Sequence, residues 1–575
     1  MELVILFLAL LSWPFSLVAE EFAFVDSPPL AKIVSERVQD CSATTPMQIP
    51  IITWGGDIPT IFANGNKLET TKDSIFGKLE LKLKLQREDV FMNQVKAYLQ
   101  CKSPYLRGTL SMIQMASEVL SKDSRSKPVV IYQLTWSAGG DALVVKGAIK
   151  TPKDLKGKTI VVQAYGPHID YLGKILKDAG LKVSDVKVRF TKDLTGSKQS
   201  PMNALYRADV DAVFVIFPDA LKLTSNGTVG TGAEDSVKGA KIMLTTKTAS
   251  RIISDVYAVR SDYFTSHKKE VMKFVQGLMK GQEETKALFK DKAQRGVEFK
   301  AALSGVAKIL LDSEQAVADA EGMYADAYFT DWNDNLKFFK DQKYPRGFAK
   351  LNQEIKETLE ALQMLSSSSS LSRGGGELVQ AEWDYNLLKK ELKGSANPEA
   401  DAPKFNADKA SQVVSKTASE GDLFTFEVNF KANQNSFSTQ EYATAFQKAV
   451  DLAATYAGAV VTIEGHSDPL GYLQKKKEGE SALVLSRIRQ SAKNLSLSRA
   501  MAVKDSLLQY AKSKGISVDP GQFVIVGNGI DKPKTGLCGS DPCAPKTQED
   551  WLSNMRVEFR ILQVEAEASV FQSLE

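Results

Sequence analysis

The chain has 575 residues, of which 43% are apolar and 25% charged, and its formal net charge is +4. Because domains hold roughly 100–200 residues each, this length predicts three or four folding units. The small net charge, without a basic block interleaved with aromatic residues, argues against a nucleic-acid partner.

The first 19 residues have the pattern of a secretory signal peptide. An apolar run from Leu3 to Leu11 precedes Pro14, and Ala19 is followed by two acids. The alternative is an uncleaved anchor, but the run is shorter than the roughly 20 residues of a spanning helix, and Pro14 interrupts it. We expect cleavage near Glu20 and a mature chain with no membrane span.

Four cysteines favour two disulfides in an exported chain. Cys538 and Cys543 lie in one loop and can close a small ring, which leaves Cys41 to pair with Cys101. None of the three histidines has the spacing to a cysteine pair that a zinc site requires. We therefore expect no metal and no cofactor.

The region before the Ser/Gly-rich linker, residues 366–377, alternates strand and helix patterns, which predicts an α/β fold. Helical patterns flank the linker at 351–365 and 377–392, and a polar stretch follows at 394–409. The predicted strands are "KPVVIYQLTW", "KTIVVQ", "VKVRF", "DAVFVIF" and "IISDVYAVRS".

One phrase in this region, "SAGGDALVVKGAIKTPKDLKGKTIVVQ" followed by "ADVDAVFVIFPDA", resembles the periplasmic substrate-binding proteins of ABC importers. The nearest resemblance is to the nitrate, sulfonate, taurine and thiamine-precursor binders, over roughly residues 50–339. It implies a two-lobed periplasmic-binding-protein fold (type II-like) at about 45–345, with an inserted lobe at about 142–244. The crossovers are expected near 137–141 and 245–250, and the ligand is expected to be a small polar or anionic solute.

Ligands of such folds bind where strands end and helices begin. The turns "TWGGDIPT" and "QAYGPHIDYL" have this form, and a helix start offers free N–H groups to polar or anionic ligands. The competing interpretation is that these are ordinary turns and packing residues. The predicted lining residues are Trp54, Gly55, Asp57, Ser137, Gly139, Asp141, Tyr165, His168 and Asp219.

The last part of the chain predicts a small α+β domain with the order βαβαββ. "DLFTFEVNF" alternates apolar residues at period two, and Ser438 with Glu441 has capping-box spacing before a helix. "GAVVTIEG" is a second strand, and a second helix is predicted from an N-cap at Ser496 to a stop at Gly515. "QFVIVGNG" and "NMRVEFRILQV" are the last two strands.

Arg499 falls in the first turn of that predicted helix, where a cation opposes the helix dipole at a cost of about 0.3–1 kcal/mol. Such a position suits the docking of a carboxylate, and Asp468, at the end of the neighbouring strand, suits an ammonium group. Diaminopimelate in peptidoglycan stem peptides carries both groups. The alternative is that Asp468 and Arg499 pair with each other, which would contribute little to stability.

The motifs "IEGHSDPLG", "LSLSRAMAV", "GNGIDKP" and "NMRVEFRI" together resemble the OmpA-like peptidoglycan-binding domain, expected here at 411–567 after a helical and Ser/Gly linker at 346–410. The resemblance implies that Asp468 and Arg499 bind diaminopimelate and that Asn554 and Arg556 form the late Asn-x-Arg of the family. Three departures are Ala492 in place of the usual Asn, Met555 in place of an Arg, and an insertion at 472–492.

Three classes of function compete. The first is a non-enzymatic solute receptor of an ABC-type importer, tethered to peptidoglycan in the periplasm of a Gram-negative bacterium, with a permease as a further partner. The second is an envelope adaptor or sensor without a transport role. An enzyme is the least favoured: pyrimidine synthases related to the thiamine-precursor binders use a Cys-rich iron-binding motif that this sequence lacks, and no hydrolase or P-loop pattern occurs.

Overall fold

The structure is a computed structural model that describes residues 21–41, 45–233, 235–366, 376, 378–392, 405, 422–429 and 437–562. The predicted signal peptide and most of the two linker stretches lie outside these residues. Within the described ranges, no helix is long and apolar enough to cross a membrane.

Among the described residues, the first lobe contains seven strands, in a main mixed sheet and a separate parallel pair, and twelve α-helices. Its strands are β1 (Met47–Ile51), β2 (Leu83–Arg87), β3 (Tyr105–Thr109), β4 (Pro128–Ser137), β10 (Ser254–Arg260), β11 (Ala327–Phe329) and β12 (Val379–Gln380). Its helices are α1 (Leu30–Ile33), α2 (Ile58–Ala63), α3 (Ile75–Lys78), α4 (Phe91–Leu99), α5 (Leu110–Leu120), α9 (Ser261–Ser266), α10 (Lys268–Lys290), α11 (Gly296–Leu311), α12 (Val317–Ala325), α13 (Trp332–Lys340), α14 (Phe348–Ala361) and α15 (Tyr385–Leu388).

The strand order in the main sheet of this lobe is β11–β4–β10–β3, with β12 beside β4, while β1 and β2 form a separate parallel pair. All ten residues of β4 are buried, as the continuous apolar run of its sequence predicts for a central strand. β10 runs antiparallel to both β3 and β4.

The second lobe is a five-stranded sheet inserted between β4 and β10. It contains β5 (Asp141–Val145), β6 (Thr159–Gln163), β7 (Lys187–Thr191), β8 (Ala212–Ile216) and β9 (Lys241–Thr245), with α6 (Ile169–Asp178), α7 (Pro201–Ala204) and α8 (Phe217–Leu223). The order is β7–β6–β8–β5–β9, in which β6 is parallel to β7 and β8, and β5 is antiparallel to β8 and β9. The chain enters this lobe through residues 138–140 and leaves through 246–253.

Helix α14 contacts both lobes, because it packs on α5 of the first and α6 of the second. A side chain at Gly173 of α6 would place its Cβ 2.2 Å from the Thr358 hydroxyl, so glycine permits this close approach. Arg346, just before α14, donates to the carbonyl of Arg251 in the return crossover (2.8 Å) and pairs with Glu354 (2.7 Å). The contact lies beside the hinge of the two lobes.

The predicted helix at 377–392 is wrong over most of its length. Residues 379–380 instead add strand β12 to the first lobe, in parallel with β4, and only Tyr385–Leu388 is α-helical. Ala381 and Trp383 are buried and alternate with the exposed Glu382 and Asp384, a period-two pattern that fits extended chain. Trp383 also donates its indole N–H to the carbonyl of Ile131 in β4 (2.9 Å).

The C-terminal unit has a four-stranded sheet of order β13–β18–β14–β15, with helices on it. Its elements are β13 (Asp422–Asn429), α16 (Ala443–Thr455), β14 (Val460–His466), α17 (Leu470–Lys477), α18 (Ala482–Lys514), β15 (Phe523–Gly529), β16 (Leu537–Cys538), β17 (Asp541–Pro542), α19 (Gln548–Asn554) and β18 (Arg556–Leu562). β14 is parallel to β15, and β18 is antiparallel to β13 and β14.

Two predicted helix starts in this unit are wrong. The Ser438 hydroxyl accepts the N–H groups of Gln440 and Glu441, yet the helix begins only at Ala443. The second helix begins fourteen residues before Ser496, with Ser481 as its N-cap. No Gly or Pro interrupts residues 482–495, so the helix continues through the insertion and Ser496 donates to the carbonyl of Lys493 instead of capping.

The C-terminal unit docks against the two lobes. The Arg251 N–H donates to the carbonyl of Thr455 (3.2 Å), and the Gly458 N–H donates to the carbonyl of Thr248 (3.1 Å). The Tyr456 hydroxyl donates to Asp178 at the end of α6 (2.8 Å). Two of these three contacts are made by the return crossover between the lobes.

Candidate functional sites

The carboxyl ends of the parallel strands of the second lobe lie together at the end of the sheet that faces the crossovers, which is called its interlobe edge. β6, β7 and β8 are parallel, so Gln163, Thr191 and Ile216 end at one edge, where Asp141 opens β5 opposite Ile216. The first lobe presents a matching edge, with Ser137 ending β4 and Thr109 ending β3 opposite Asp255. The turns that leave these strands therefore face the space between the lobes, which is where ligands of such folds bind.

Trp54 and three glycines lie together at the first-lobe edge. The indole N–H of Trp54 donates weakly to Thr135 (3.4 Å), and its ring lies where a Cβ at Gly56 or Gly140 would come within 2.8 Å. Gly55 is covered by the carbonyl of Met323, which would be 1.9 Å from an added Cβ. Half-buried Trp54, a predicted lining residue, therefore contacts Gly140 in the crossover that follows β4. The space next to Gly55, another predicted lining residue, is occupied by the end of α12.

Asp57 does not face the interlobe space; it belongs to a buried ionic cluster beneath the first-lobe edge. Arg107 donates through Nε to Asp57 (3.0 Å) and through Nη1 to Asp255 (2.8 Å), and all three side chains are almost fully buried. Asp57 also accepts the Ile52 N–H at the start of the "TWGGD" turn (3.1 Å). Burial raises the pKa of Asp57 to about 6 in spite of Arg107. The cluster holds the turn in place.

A polar network joins the two crossovers. The Ser137 hydroxyl donates to Asp141 (2.6 Å) and lies 2.8 Å from the Thr246 hydroxyl, which also accepts the N–H groups of Gly139 and Asp141. His168 Nε2 lies 2.7 Å from Asp141 Oδ1. Nδ1 of this buried histidine has no hydrogen-bond partner within the described part of the chain. The structure therefore brings together four of the predicted lining residues: Ser137, Gly139, Asp141 and His168. Thr246 belongs to the same network, but the sequence patterns did not identify it.

Two more acids belong to the same neighbourhood and carry altered pKa values. Burial raises the pKa of Asp326 to about 6, with a further contribution from Asp141, and the Asp326 carbonyl accepts the N–H of Ala138 (2.8 Å). Burial raises the pKa of Asp170, in the first turn of α6, to about 8. Sequence patterns gave no signal for either acid. Asp326 follows the end of α12 and lies 188 residues after Ala138, the crossover residue that it contacts.

The last two predicted lining residues lie at the second-lobe edge but in separate environments. Tyr165 adopts a left-handed backbone (φ 57°) in the turn after β6, and its hydroxyl donates to the carbonyl of Pro28 (2.7 Å). Asp219 is in the first turn of α8; burial raises its pKa, and its Oδ2 has no partner in the ranges that the structure describes. Tyr165 thus contacts the N-terminal segment, whereas Asp219 retains an acceptor without a donor.

In the C-terminal unit, Asp468 and Asn554 form one site. Asp468 accepts the Leu470 N–H (2.7 Å) through Oδ1 and the Asn554 side-chain amide (3.1 Å) through Oδ2. Asn554 is completely buried and is also linked to Thr535, whose hydroxyl donates to the carbonyl of Cys543 (3.0 Å). Partial burial raises the pKa of Asp468.

Arg499 lies in the interior of α18, not in a first turn, so the predicted role of the helix dipole is wrong. Its side chain is buried, its Nε has no hydrogen-bond partner, and no carboxylate among the described residues forms an ion pair with it. Burial alone lowers its pKa from the usual value. The alternative that Asp468 and Arg499 pair with each other is likewise wrong for this structure, and the cation remains uncompensated.

The insertion at 472–492 lies beside Asp468. Helix α17 begins at Leu470, two residues after Asp468. The hydroxyl of buried Tyr472 donates to Asp541 in the β16–β17 hairpin (3.0 Å). Arg489 of α18 lies over the Tyr472 ring (4.6 Å) and contacts the same Asp541 (3.4 Å). Arg556 donates to the carbonyl of Lys532 (3.4 Å) and pairs with the Glu558 carboxylate (3.2 Å).

Both cysteine pairs are joined in the structure. Cys41 is bonded to Cys101, with Cα atoms 5.2 Å apart, and Cys538 is bonded to Cys543, with Cα atoms 4.9 Å apart. The first disulfide joins the N-terminal segment to the end of α4, and the second closes the hairpin beside Asp468. The described residues contain no group of acids, histidines or cysteines that could hold a metal ion.

Comparisons with known proteins agree with the resemblance seen in the N-terminal region. Residues 115–288, less than a third of the chain, match a family model described as NMT1/THI5 like. A taurine-binding periplasmic protein of Escherichia coli (strain K12) is 27% identical over 161 residues, which are 28% of this chain and 46% of that protein. The match thus spans under half the length of this curated relative.

Solved structures of the same overall kind are more distant in sequence. The alkanesulfonate-binding protein SsuA from Xanthomonas axonopodis pv. citri, bound to MOPS, is 15% identical, with 56% of this chain and 96% of that chain covered and a TM-score of 0.37. The desulfurization enzyme DSZB is also 15% identical, with 60% and 99% covered and a TM-score of 0.35. The fold of the described residues is that of two α/β lobes joined by two crossovers, with an additional C-terminal α/β unit.

Proposed function

We propose that this protein is a non-enzymatic, periplasmic solute-binding receptor of an ABC-type importer and that its C-terminal unit tethers it to peptidoglycan. The observation that carries the first part is the arrangement of two α/β lobes whose strand ends face each other across two crossovers. The similarity of residues 115–288 to the NMT1/THI5-like family, and of a shorter stretch to a taurine binder, supports a small polar or anionic solute.

The solute is expected to contact Trp54 and the polar crossover network of Ser137, Asp141 and His168. A thermal-shift screen of the full mature chain with taurine, an alkanesulfonate, nitrate and a pyrimidine tests this. A ligand at one hundred times its Kd stabilises the folded state by about 2.7 kcal/mol. Trp54→Ala should abolish the shift given by the active compound, whereas Lys153→Ala, on the exposed surface of the second lobe, should preserve it.

The buried, uncompensated Arg499 carries the second part of the proposal. A buried cation without an anionic partner costs stability, and a ligand carboxylate would relieve that cost. Asp468, held by Asn554, offers the complementary anion for an ammonium group, as the diaminopimelate of a stem peptide requires. The hairpin and the insertion, joined through Asp541, would then form one side of the site.

Co-sedimentation of the full chain with isolated sacculi tests the tether. Asp468→Asn and Arg499→Ala should each weaken binding about tenfold or more, since a charge-assisted hydrogen bond contributes roughly 1.5–3 kcal/mol. Lys512→Ala, an exposed position in the last turn of the same helix and outside the insertion, is the matched control and should bind as the parent does. Equal sedimentation of all three folded variants would contradict this site.

The second candidate function is an envelope adaptor or sensor without a transport role. It is favoured by the contacts of α14 and the C-terminal unit with the hinge, because they oppose the lobe movement that solute exchange requires. A chain that sediments with sacculi but gives no thermal shift with any solute class would support this alternative.

A further inference from the structure

The N-terminal residues 21–29, here called the strap, lie along the second lobe before the chain enters the first. The Val25 N–H donates to the carbonyl of Phe190 in β7 (3.0 Å), as one antiparallel bridge. Gln199 contacts the strap twice: its side-chain oxygen accepts the Ala23 N–H (3.0 Å), and its amide donates to the carbonyl of Glu21 (2.8 Å).

Aromatic contacts add to this attachment. The rings of Phe22 and Phe24 pack edge to face at 5.0 Å, and the Arg189 guanidinium lies 4.8 Å from the Phe24 ring. The Arg207 guanidinium lies within 5.6 Å of both rings. These two arginines also share Asp209, so the strap covers a surface that is already fixed in place.

Immediately after the strap, the chain is anchored to the first lobe. Leu30 is completely buried, and α1 packs on α5. Lys122 donates to the carbonyl of Ala31 (2.8 Å), and Arg260, a fully buried first-lobe residue, donates to the carbonyl of Gln39 (3.0 Å). The Cys41–Cys101 disulfide closes this attachment covalently.

The position of the strap matters because it lies far from the hinge. The crossovers enter the second lobe at β5 and β9, whereas the strap pairs with β7 at the opposite edge of the sheet. Three strand spacings separate β7 from β5, which is about 14 Å. An opening rotation about the crossovers therefore displaces the β7 edge more than any other strand of that sheet.

The connection between the two attachments is short. Only residues 26–29, which include Pro28 and Pro29, separate Val25 on the second lobe from Leu30 on the first. The five steps from Val25 to Leu30 reach about 18 Å when fully extended. The Tyr165 hydroxyl, at the interlobe edge, shortens the free length further by donating to the carbonyl of Pro28 (2.7 Å).

We propose that the strap is a tether that limits the opening of the two lobes, so that wide separation requires residues 21–25 to leave β7. The tether is a property of the lobes themselves; only its consequence, that it sets the rate of solute exchange, rests on the proposed solute-binding function.

The test is to add slack without removing a contact. Eight Gly/Ser residues inserted between Pro28 and Pro29, after the last second-lobe contact at the Pro28 carbonyl and before the anchor at Leu30, leave every attachment in place and add roughly 15 Å of reach. The control carries the same eight residues between Arg37 and Val38, after the anchor at Leu30, where they add no slack between the lobes. Spin labels at Lys127→Cys of the first lobe and Lys192→Cys of the second, both at exposed positions, report the interlobe distance in the full, ligand-free chain.

The parent and the control should give one narrow distance distribution, and the slack variant should give at least twice that width, with a longer-distance population. Hydrogen exchange at residues 23–25 shows whether the strap stays paired. Equal widths in the slack variant and the control would overturn the proposal, whether or not the strap remains protected, as would a broad distribution in the parent. Either outcome is independent of whether taurine or another solute binds.

Discussion

Asp170 is the individual residue for which burial has the clearest consequence. Its Oδ1 accepts the Tyr171 N–H (3.0 Å), and its Oδ2 has no partner within the described ranges. It lines a small cavity of about 10 Å³ between α6 and α14, together with Lys174, Arg346 and Glu354. Burial raises its pKa to about 8, Asp141 adds to that effect, and Arg346 opposes it.

This shift predicts a pH dependence of stability. Because the folded-state pKa lies above the usual value of 3.8, the folded protein holds this proton more tightly than the unfolded chain. Stability therefore falls as pH rises from about 4 to about 8, and the cost of the buried charge is fully present above 8. Asp170→Asn should match the parent near pH 5 and be more stable at pH 9 by roughly 1–3 kcal/mol.

Urea unfolding of the two proteins between pH 5 and 9 measures this difference. Glu357→Gln, an exposed position on the adjacent α14, should give a curve parallel to that of the parent. If the plot of stability against pH for Asp170→Asn is also parallel to that of the parent, the Asp170 carboxyl group is ionised in the folded state at neutral pH. The prediction that it is protonated there would then be wrong.

Among the elements, the contact of β14 with α18 depends on glycine. A Cβ at Gly465 would lie 2.0 Å from the carbonyl oxygen of Ser496, and one at Gly527 of β15 would lie 2.7 Å from the Leu497 Cβ. The helix therefore lies directly on two neighbouring strands. This close packing places Arg499, one turn further along α18, against the sheet.

Gly465→Ala should force the strand and the helix apart and destabilise the C-terminal unit by about 1–3 kcal/mol or more. Gly471→Ala is the matched control, because it lies on exposed α17 with no atom within 4 Å of its added Cβ; it should stabilise by about 0.5–1 kcal/mol. Hydrogen exchange of β14 and α18 measures both. Unchanged protection in Gly465→Ala would show that the helix is not pressed on the strand.

At the scale of the whole molecule, the C-terminal unit and the lobes form one packed body. Gly458 approaches the return crossover so closely that an added Cβ would lie 1.9 Å from the carbonyl oxygen of Lys247. The crossover is the segment that bends when two such lobes open. The proposed binding of peptidoglycan by the C-terminal unit would therefore be mechanically linked to movement of the lobes.

Gly458→Ala should separate the C-terminal unit from the lobes without unfolding either. Small-angle scattering should then show a larger radius of gyration, and calorimetry should show two thermal transitions. Tyr456→Phe, which loses only the hydrogen bond to Asp178, should cost about 1 kcal/mol and keep the compact form. A compact, single-transition Gly458→Ala protein would contradict the docking.

The local sequence determined the strands and much of the chemistry. The apolar runs and period-two patterns predicted β4, β6, β7, β8, β10, β13, β14, β15 and β18, because each buries one or both faces in a sheet. The motifs also selected Ser137, Asp141 and His168, which the structure joins in one network, and Asp468 with Asn554, which it joins in another.

Tertiary structure decided what local pattern could not. Residues 379–384 became a strand and an extended segment because β4 offered an unpaired edge, and Asp57 was buried by Arg107, fifty residues away. The start of α18 followed from the helix continuing through the insertion, so Arg499 lost its place in a first turn. The strap, Thr246 and Asp326 acquire their roles only through contacts across 100 residues or more. Such contacts depend on which surfaces the fold brings together, and residue order alone does not encode them in any short pattern.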